Sequence, residues 1–266
     1  MLPTVEASIS QVVGNNFQVF GNFWAQYWTQ NNTNSQYKAY DEYNVVATTF
    51  DRSWSVLYRN ALNNAQLIIE SEGFSKHRGV ALILKAYTFQ VATDAFGDIP
   101  LSEALRGADF RSPSYDSQEA VYDSIFNYIE QGKALLVSDD ADMGSQDMIF
   151  KGDVDKWDAF ANTLALRAYL RLSEIAPDKA KAGIEKLYQS NAVFLTQDAS
   201  ITYTTTGGNE NPLYNEMLGL GKTQNMVASG TAVKAFAKND DPRVFAFYAL
   251  NEGQDTIAYL RQGGFN

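Results

Sequence analysis

Two long apolar stripes separated by only a few residues constrain this chain more than any other feature. Trp54, Leu57, Tyr58, Ala61, Ala65 and Ile68 recur at i, i+3, i+4, i+7, i+11 and i+14, a spacing that lines one face of an α-helix. Glu72-Gly73 interrupts the pattern, and a second apolar helix over His77–Phe96 carries Val80, Leu84, Tyr87, Val91 and Ala95. So short a break leaves the second helix to pack back along the first, which predicts an antiparallel helical hairpin. Gly97 supplies the permissive backbone of a helix stop, and Pro100 keeps the helix from resuming.

Helical periodicity continues on both sides. Val5–Trp28 reads as one helix on Ile9, Val12, Val13, Phe17, Phe20 and Trp24, tolerating Gly14 and Gly21 at roughly 1 kcal/mol each. The hairpin's first helix spans about Val45–Glu72. A fourth helix over Ser117–Val137 uses Val121, Ile125, Tyr128, Ile129 and Leu135, and a fifth over Asp153–Ala176 places Trp157, Phe160, Leu164 and Ala168 on one face before Pro177. Shorter helices are expected over Asp178–Asn191 and Val227–Lys238. Ile201–Gly208 alternates and is β-branched, the one strand-like segment. The fold class is all-α: tetratricopeptide-like antiparallel helix pairs with long loops and a minor β element, in one domain over residues 1–266. Met1-Leu2-Pro3-Thr4 shows no export signal, and the abrupt end after Ala258-Tyr259-Leu260 reads as the N-terminal part of a longer protein.

Charge and composition exclude several functions. A net charge of −10 with a pI near 4.6 offers no basic face to phosphates or anionic lipid, so no nucleic-acid partner is expected. With no cysteine there is no disulfide framework and no thiolate nucleophile. No apolar run approaches the ~18 residues of a membrane span. His77 is the single histidine, read as an exposed helix-start residue, so histidine-based zinc sites and Ser-His-Asp triads have nothing to build on. Gly221-Lys222-Thr223 lacks the earlier glycine of a phosphate loop, because Glu216 stands there. The acidic connector Asp139–Asp147 fails the EF-hand pattern, since Lys151 occupies the position of the bidentate glutamate. Asp94 and Asp98, spaced i, i+4, are the most suggestive carboxylate pair. A carboxylate at a helix C-terminus is better explained as stabilising the turn. No catalytic residue, metal or cofactor is assigned.

Ligand contact is expected instead where aromatic and amide side chains mix. Trp24, Tyr27 and Trp28 end the first helix, and Asn31, Tyr37 and Tyr40 follow in a polar loop. Sugars present apolar C–H faces that stack on flat rings and hydroxyls that seek amide partners. The exposed shelf is placed around Trp28, Tyr37 and Tyr40, with Trp24 in phase with the core residues Phe17 and Phe20.

Ala95–Leu101, reading AFGDIPL, is followed by Gly152-Asp153, Lys156-Trp157, Phe160-Ala161-Asn162, Leu164, Leu166-Arg167 and Leu170–Ser173. In this order the two motifs resemble those of the SusD/RagB family of outer-membrane nutrient-binding lipoproteins, and Asp241-Pro242-Arg243 resembles the family's DPR turn. The resemblance implies a surface-exposed lipoprotein of the outer membrane that captures oligosaccharides or peptides without cleaving them. It also implies delivery to a SusC-like TonB-dependent transporter. The lipidated N-terminal cysteine that anchors the family is absent from this sequence. The motif residues read as scaffold: Gly97 and Pro100 shape a turn, Trp157 and Phe160 pack, and Arg167 and Arg171 pair with acids. A helical-repeat scaffold for protein partners and an α-helical glycan-processing enzyme are the alternatives.

Overall fold

The computed structural model describes residues 1–219 and 224–264. Gly221-Lys222-Thr223 lies outside the described residues. The chain opens with a continuous helical run over residues 2–24: α1 (Leu2–Gln11), a π-helical turn at Val12–Asn16, and α2 (Phe17–Trp24). Next come β1 (Trp28–Gln30), α3 (Lys38–Asp41), α4 (Asp51–Ser55), a second π-helical turn at Val56–Leu62, and α5 (Asn63–Glu70). The long helices α6 (Ser75–Phe96), α7 (Gln118–Leu136) and α8 (Val154–Arg171) follow, then α9 (Pro177–Gln189) and α10 (Pro212–Met217). The chain continues with β2 (Met226–Ala228), α11 (Gly230–Lys238) and α12 (Val244–Phe247). It divides into two compact units, one of residues 1–10 and 53–202, the other of residues 11–52 and 203–266.

Unit 1 is a row of antiparallel helices, each packed on the next: α5 on α6, α6 on α7, α7 on α8 and α8 on α9. The predicted hairpin is its centre. Arg78 of α6 donates to the Ile69 carbonyl at 2.9 Å, and Lys85 donates to Gln66 Oε1 at 2.6 Å, so α5 and α6 run in opposite directions. α6 and α7 approach closely where Gly79 faces Gly132. A methyl group on either would lie 2.7–2.8 Å from the other's carbonyl oxygen, inside van der Waals contact. α6 is buried nearly all round, from Val80 through Phe89 and Ala92, as a helix between two neighbours must be. Gly97 adopts φ 77 and ends it. Asp98 then accepts the Gln118 N–H at 2.8 Å, so the turn carboxylate caps α7.

The acidic connector ends, just before α8, in a buried polar hub rather than a solvated loop. Asp147 is fully buried and accepts four N–H groups: Ile149 at 2.9 Å, Phe150 at 3.0 Å, Gly152 at 2.8 Å and the Trp157 indole at 2.7 Å. Asp153 caps α8 by accepting the Lys156 N–H at 3.1 Å. Trp157 and Leu164 are buried as expected, whereas Phe160 is half-buried. Arg171 pairs with Asp94 at 3.0 Å. Arg167 differs from expectation: it donates to the amide oxygen of Gln90 at 2.9 Å and lies 4.8 Å over the Tyr87 ring. His77 is half-buried against Phe74, so it is not the exposed helix-start residue the sequence suggested.

Unit 2 holds the two-stranded sheet. β1 and β2 pair antiparallel, with Trp28 opposite Ala228, Thr29 opposite Val227 and Gln30 opposite Met226. The β element is therefore not at Ile201–Gly208, which forms a turn closed by Thr204 N–H on the Asn209 carbonyl at 2.9 Å. Trp28 likewise lies outside the first helix, because Gln26 turns left-handed at φ 59 and sends the chain into β1. The expected helix from Val227 begins only at Gly230, and the one expected from Val45 begins at Asp51. Asp41, 2% exposed, ties the unit together by accepting from Gln30 N at 3.2 Å, Gln262 Nε2 at 2.7 Å and Gly263 N at 2.7 Å.

Candidate functional site

A groove of about 540 Å³ opens along the β1–β2 ribbon of unit 2. Trp28 is half-buried, packed on the core cluster of Val19, Phe23, Tyr37 and Met226 while also lining the groove. Its indole N–H bonds to no described residue. Phe247, Tyr248 and Tyr259 supply three more aromatic rings to the lining. Phe247 is 56% exposed, and Tyr259 is 44% exposed. The Tyr248 hydroxyl donates to the Tyr27 carbonyl at 2.7 Å, which fixes that ring, and burial pushes the hydroxyl's pKa up to about 12.

The polar lining divides into anchors and free groups. Asn31 donates its amide to the Gln224 carbonyl at 3.0 Å and accepts from Thr33 N–H at 3.2 Å and Thr33 hydroxyl at 3.1 Å. With its backbone N–H on the Asn225 carbonyl at 2.7 Å, Asn31 extends the strand pairing past Gln30. Asn32 and Asn251 are exposed, line the groove, and make no side-chain hydrogen bond to any described residue. Rigid rings beside uncommitted amides can hold a ligand with an apolar face and several hydroxyls.

The six residues singled out from sequence are not brought together. Trp28 and Asn31 line the groove. Tyr27 sits behind it, its ring 5.6 Å from Phe247 and 6.4 Å from Phe236. Trp24, read as in phase with the core, is 40% exposed and shares a separate aromatic patch with Tyr43 at 5.9 Å and Phe20 at 5.4 Å. Tyr37 is 8% exposed, so the shelf does not include it. Its ring packs on Phe23, its hydroxyl donates to Glu216, and burial together with that carboxylate raises the hydroxyl's pKa. Tyr40 is half-buried, stacked between Tyr37 at 5.9 Å and Phe50 at 6.1 Å. The short α3 causes both losses: it turns the loop inward where Asp41 is anchored. Phe247, Tyr248, Tyr259 and Asn251 were missed, since only the pairing of β1 with β2 brings residues so far along the chain to Trp28.

Asp94 and Asp98, the suggested carboxylate pair, are both engaged in structure. Asp94 accepts the Tyr122 hydroxyl at 2.6 Å besides its pairing with Arg171, and Asp98 caps α7. Among the described residues no cluster of three or more His, Asp or Glu could hold a metal ion, and no helix is long and apolar enough to cross a membrane.

Residues 1–263 match the SusD-like family described as "Starch-binding associating with outer membrane". Among solved structures, the chain is similar to a SusD/RagB family protein from Bacteroides thetaiotaomicron at 26% identity and TM-score 0.73, over 90% of this chain and 52% of that one. A chitin-binding SusD homologue from Flavobacterium johnsoniae matches at 26% identity and TM-score 0.71, over 90% and 50%. A Bacteroidetes SusD-like protein matches at 21% identity and TM-score 0.78, over 99% and 58%. The chain thus spans between half and three-fifths of the length of these proteins. No curated protein sequence matches it.

Proposed function

The chain belongs to the SusD-like family of starch-binding proteins that associate with the outer membrane, and from that premise we propose that it is a cell-surface glycan-binding protein of a nutrient-uptake system. The family is one of binding proteins, not enzymes. Captured oligosaccharide would pass to a SusC-like TonB-dependent transporter, with attachment to the outer membrane as a surface-exposed lipoprotein. The observation that carries the reading is Trp28: its ring is braced by the core on one side and lines an open groove on the other. A ring held this way loses little freedom when a sugar stacks on it. Asn32 and Asn251 supply hydrogen bonds to hydroxyls, and Phe247 and Tyr259 extend the stacking surface.

A neutral glycan suits the lining best, because the residues named for contact carry aromatic rings and amides and no charge. The chitin-binding relative directs the first probes to oligomers of N-acetylglucosamine, with glucose oligomers and peptides beside them. In calorimetry, Trp28→Ala is expected to weaken the bound glycan by about tenfold or more, on the order of the 0.5–1.5 kcal/mol of an aromatic stack together with the apolar area removed. Equal affinity of wild type and Trp28→Ala for a glycan that binds would refute the assignment, and capture of peptides alone would replace the ligand class.

A further inference from the structure

The π-helical turn Val56–Leu62 carries part of a second groove, of about 470 Å³, lying wholly within unit 1. Pro100, Leu105 and Pro113, from the loop that follows α6, line it as well. Leu105 sits at φ 63, a left-handed conformation that branched side chains avoid. Such strain persists only where its surroundings enforce it, and it gathers in ligand-facing segments.

Trp54 is half-buried in this groove. It meets Phe96 edge-on at 5.0 Å and Tyr58 at 4.6 Å, and lies nearly parallel to Tyr115 at 6.3 Å. The Tyr58 hydroxyl donates to the Pro100 carbonyl at 2.7 Å, which fixes the wall, while Tyr115 is 64% exposed beside it. Arg59 and Asn63 also line the groove and are exposed, and neither makes an ion pair or side-chain hydrogen bond with any described residue.

A flat aromatic face beside an uncommitted guanidinium and an uncommitted amide forms a donor set for a sugar that carries a carboxylate. The ring's C–H face covers the indole. The guanidinium forks onto the carboxylate, a geometry lysine could not supply. The amide takes a hydroxyl. Charge then selects among sugars. The chain's net charge of −10 repels acidic glycans at long range, so docking one requires a local cation, and among the described residues Arg59 is the only charged one lining this groove. We infer that the Trp54–Arg59 groove is a second carbohydrate site, made of different residues from the Trp28 groove, and that it takes a uronate-containing oligosaccharide.

The test is calorimetry with a galacturonic acid tetramer, neutral tetramers of glucose and N-acetylglucosamine, and a proline-rich peptide as the competing occupant of an aromatic groove. Wild type is expected to bind the acidic tetramer, Trp28→Ala to bind it equally well, and Arg59→Gln to bind it about tenfold more weakly, with the salt sensitivity of the wild type lost. Trp54→Ala should abolish it. Because Arg59 is exposed and unpaired, Arg59→Gln leaves the fold intact and keeps the question answerable if Trp54→Ala unfolds. Absence of acidic-tetramer binding by wild type overturns the inference. So does equal affinity in Arg59→Gln, loss of binding in Trp28→Ala, or preferential capture of the proline-rich peptide. The acidic probe reports on this groove and the neutral probes on that of Trp28, so either reading can fail alone.

Discussion

Replacing Glu6 by glutamine should change how the stability of this protein depends on pH. Glu6, on α1, is 1% exposed; its Oε2 accepts the Met148 N–H at 2.8 Å, and its carboxyl also hydrogen-bonds the side chain of Asp147. Burial, reinforced by the neighbouring Asp147 and partly opposed by the Met148 N–H and Lys151, pushes its carboxyl from the usual 4.5 up to about 8. Between those two values the folded protein holds a proton that the unfolded chain has released. Stability from this group is therefore complete below about pH 4.5 and is lost as pH rises through about 8. At about 1.36 kcal/mol per unit, with some of the shift relieved by water entry, the loss is on the order of 3–4 kcal/mol. For a protein of this size that corresponds to a melting temperature lower by roughly 6–16 °C at alkaline pH. Glutamine has the shape of the protonated acid and keeps an acceptor for Met148, but cannot ionise. Melts followed by circular dichroism at intervals from pH 5 to 9 should show wild type falling and Glu6→Gln nearly level, the two coinciding at the acid end. Parallel decline of both proteins would show that Glu6 is not the titrating group and that its buried environment has been misjudged.

Three further substitutions test packing, Lys85 and Gly132 in unit 1 and Gly21 in unit 2. Lys85 is buried, its ammonium 4.5 Å over the Tyr128 ring, and burial pushes its pKa down to about 8; Lys85→Met should raise stability at pH 7 by about 1 kcal/mol. That advantage should shrink between pH 8 and 10.5, where the unfolded wild type holds the extra proton and wild-type stability rises, and denaturant titration at pH 7 and 10 measures it. Gly132→Ala should cost about 2 kcal/mol, because its methyl group would meet the Gly79 carbonyl at 2.8 Å. Gly21→Ala, with nothing within 4 Å and an ordinary helical backbone, should instead gain about 1 kcal/mol in the same denaturation assay.

What was legible in the sequence follows from what each element needs. α6, α7 and α8 bury their apolar faces against neighbours adjacent in the chain, so local periodicity predicts α6 and α7 to within two residues and the start of α8, while α8 ends at Arg171, five residues before the expected Ala176. The sheet was not legible. A strand of three residues has no usable period, and Trp28–Gln30 is a strand only because Met226–Ala228 lies beside it. Ile201–Gly208 has the better β composition but joins no ladder among the described residues, and strand propensity without a ladder does not make a strand. The same cause divided the candidate site. Trp28 and Asn31 line the groove, whereas Tyr37 and Tyr40 read as loop residues and are turned inward by α3 and Asp41.

The residues of the Asp147 hub and those that line the groove answer to different forces. The Asp147 hub gathers four N–H donors within nine residues of chain, from Ile149 to Trp157, so its geometry is local. Trp28 depends on partners far along the chain, from Gln224 to Tyr248: Ala228 across the ladder, Gln224 and Asn225 bonded to Asn31, and Tyr248 bonded to the Tyr27 carbonyl. Each of these bonds is backbone pairing or an anchor to a backbone carbonyl, which fixes the strand without specifying what the groove holds. Rigidity therefore comes from the ribbon, and under the proposed function selectivity would fall to side chains that line the groove: Trp28, Asn32, Phe247, Asn251 and Tyr259. A change at Asn32 or Asn251 would alter which hydroxyls are met and leave the ladder whole, since neither side chain bonds to a described residue. By contrast, removing the Asn31 side chain would loosen the strand that presents Trp28. Under the proposed function, ligand choice would thus rest on Asn32 and Asn251, and presentation of the strand on Asn31.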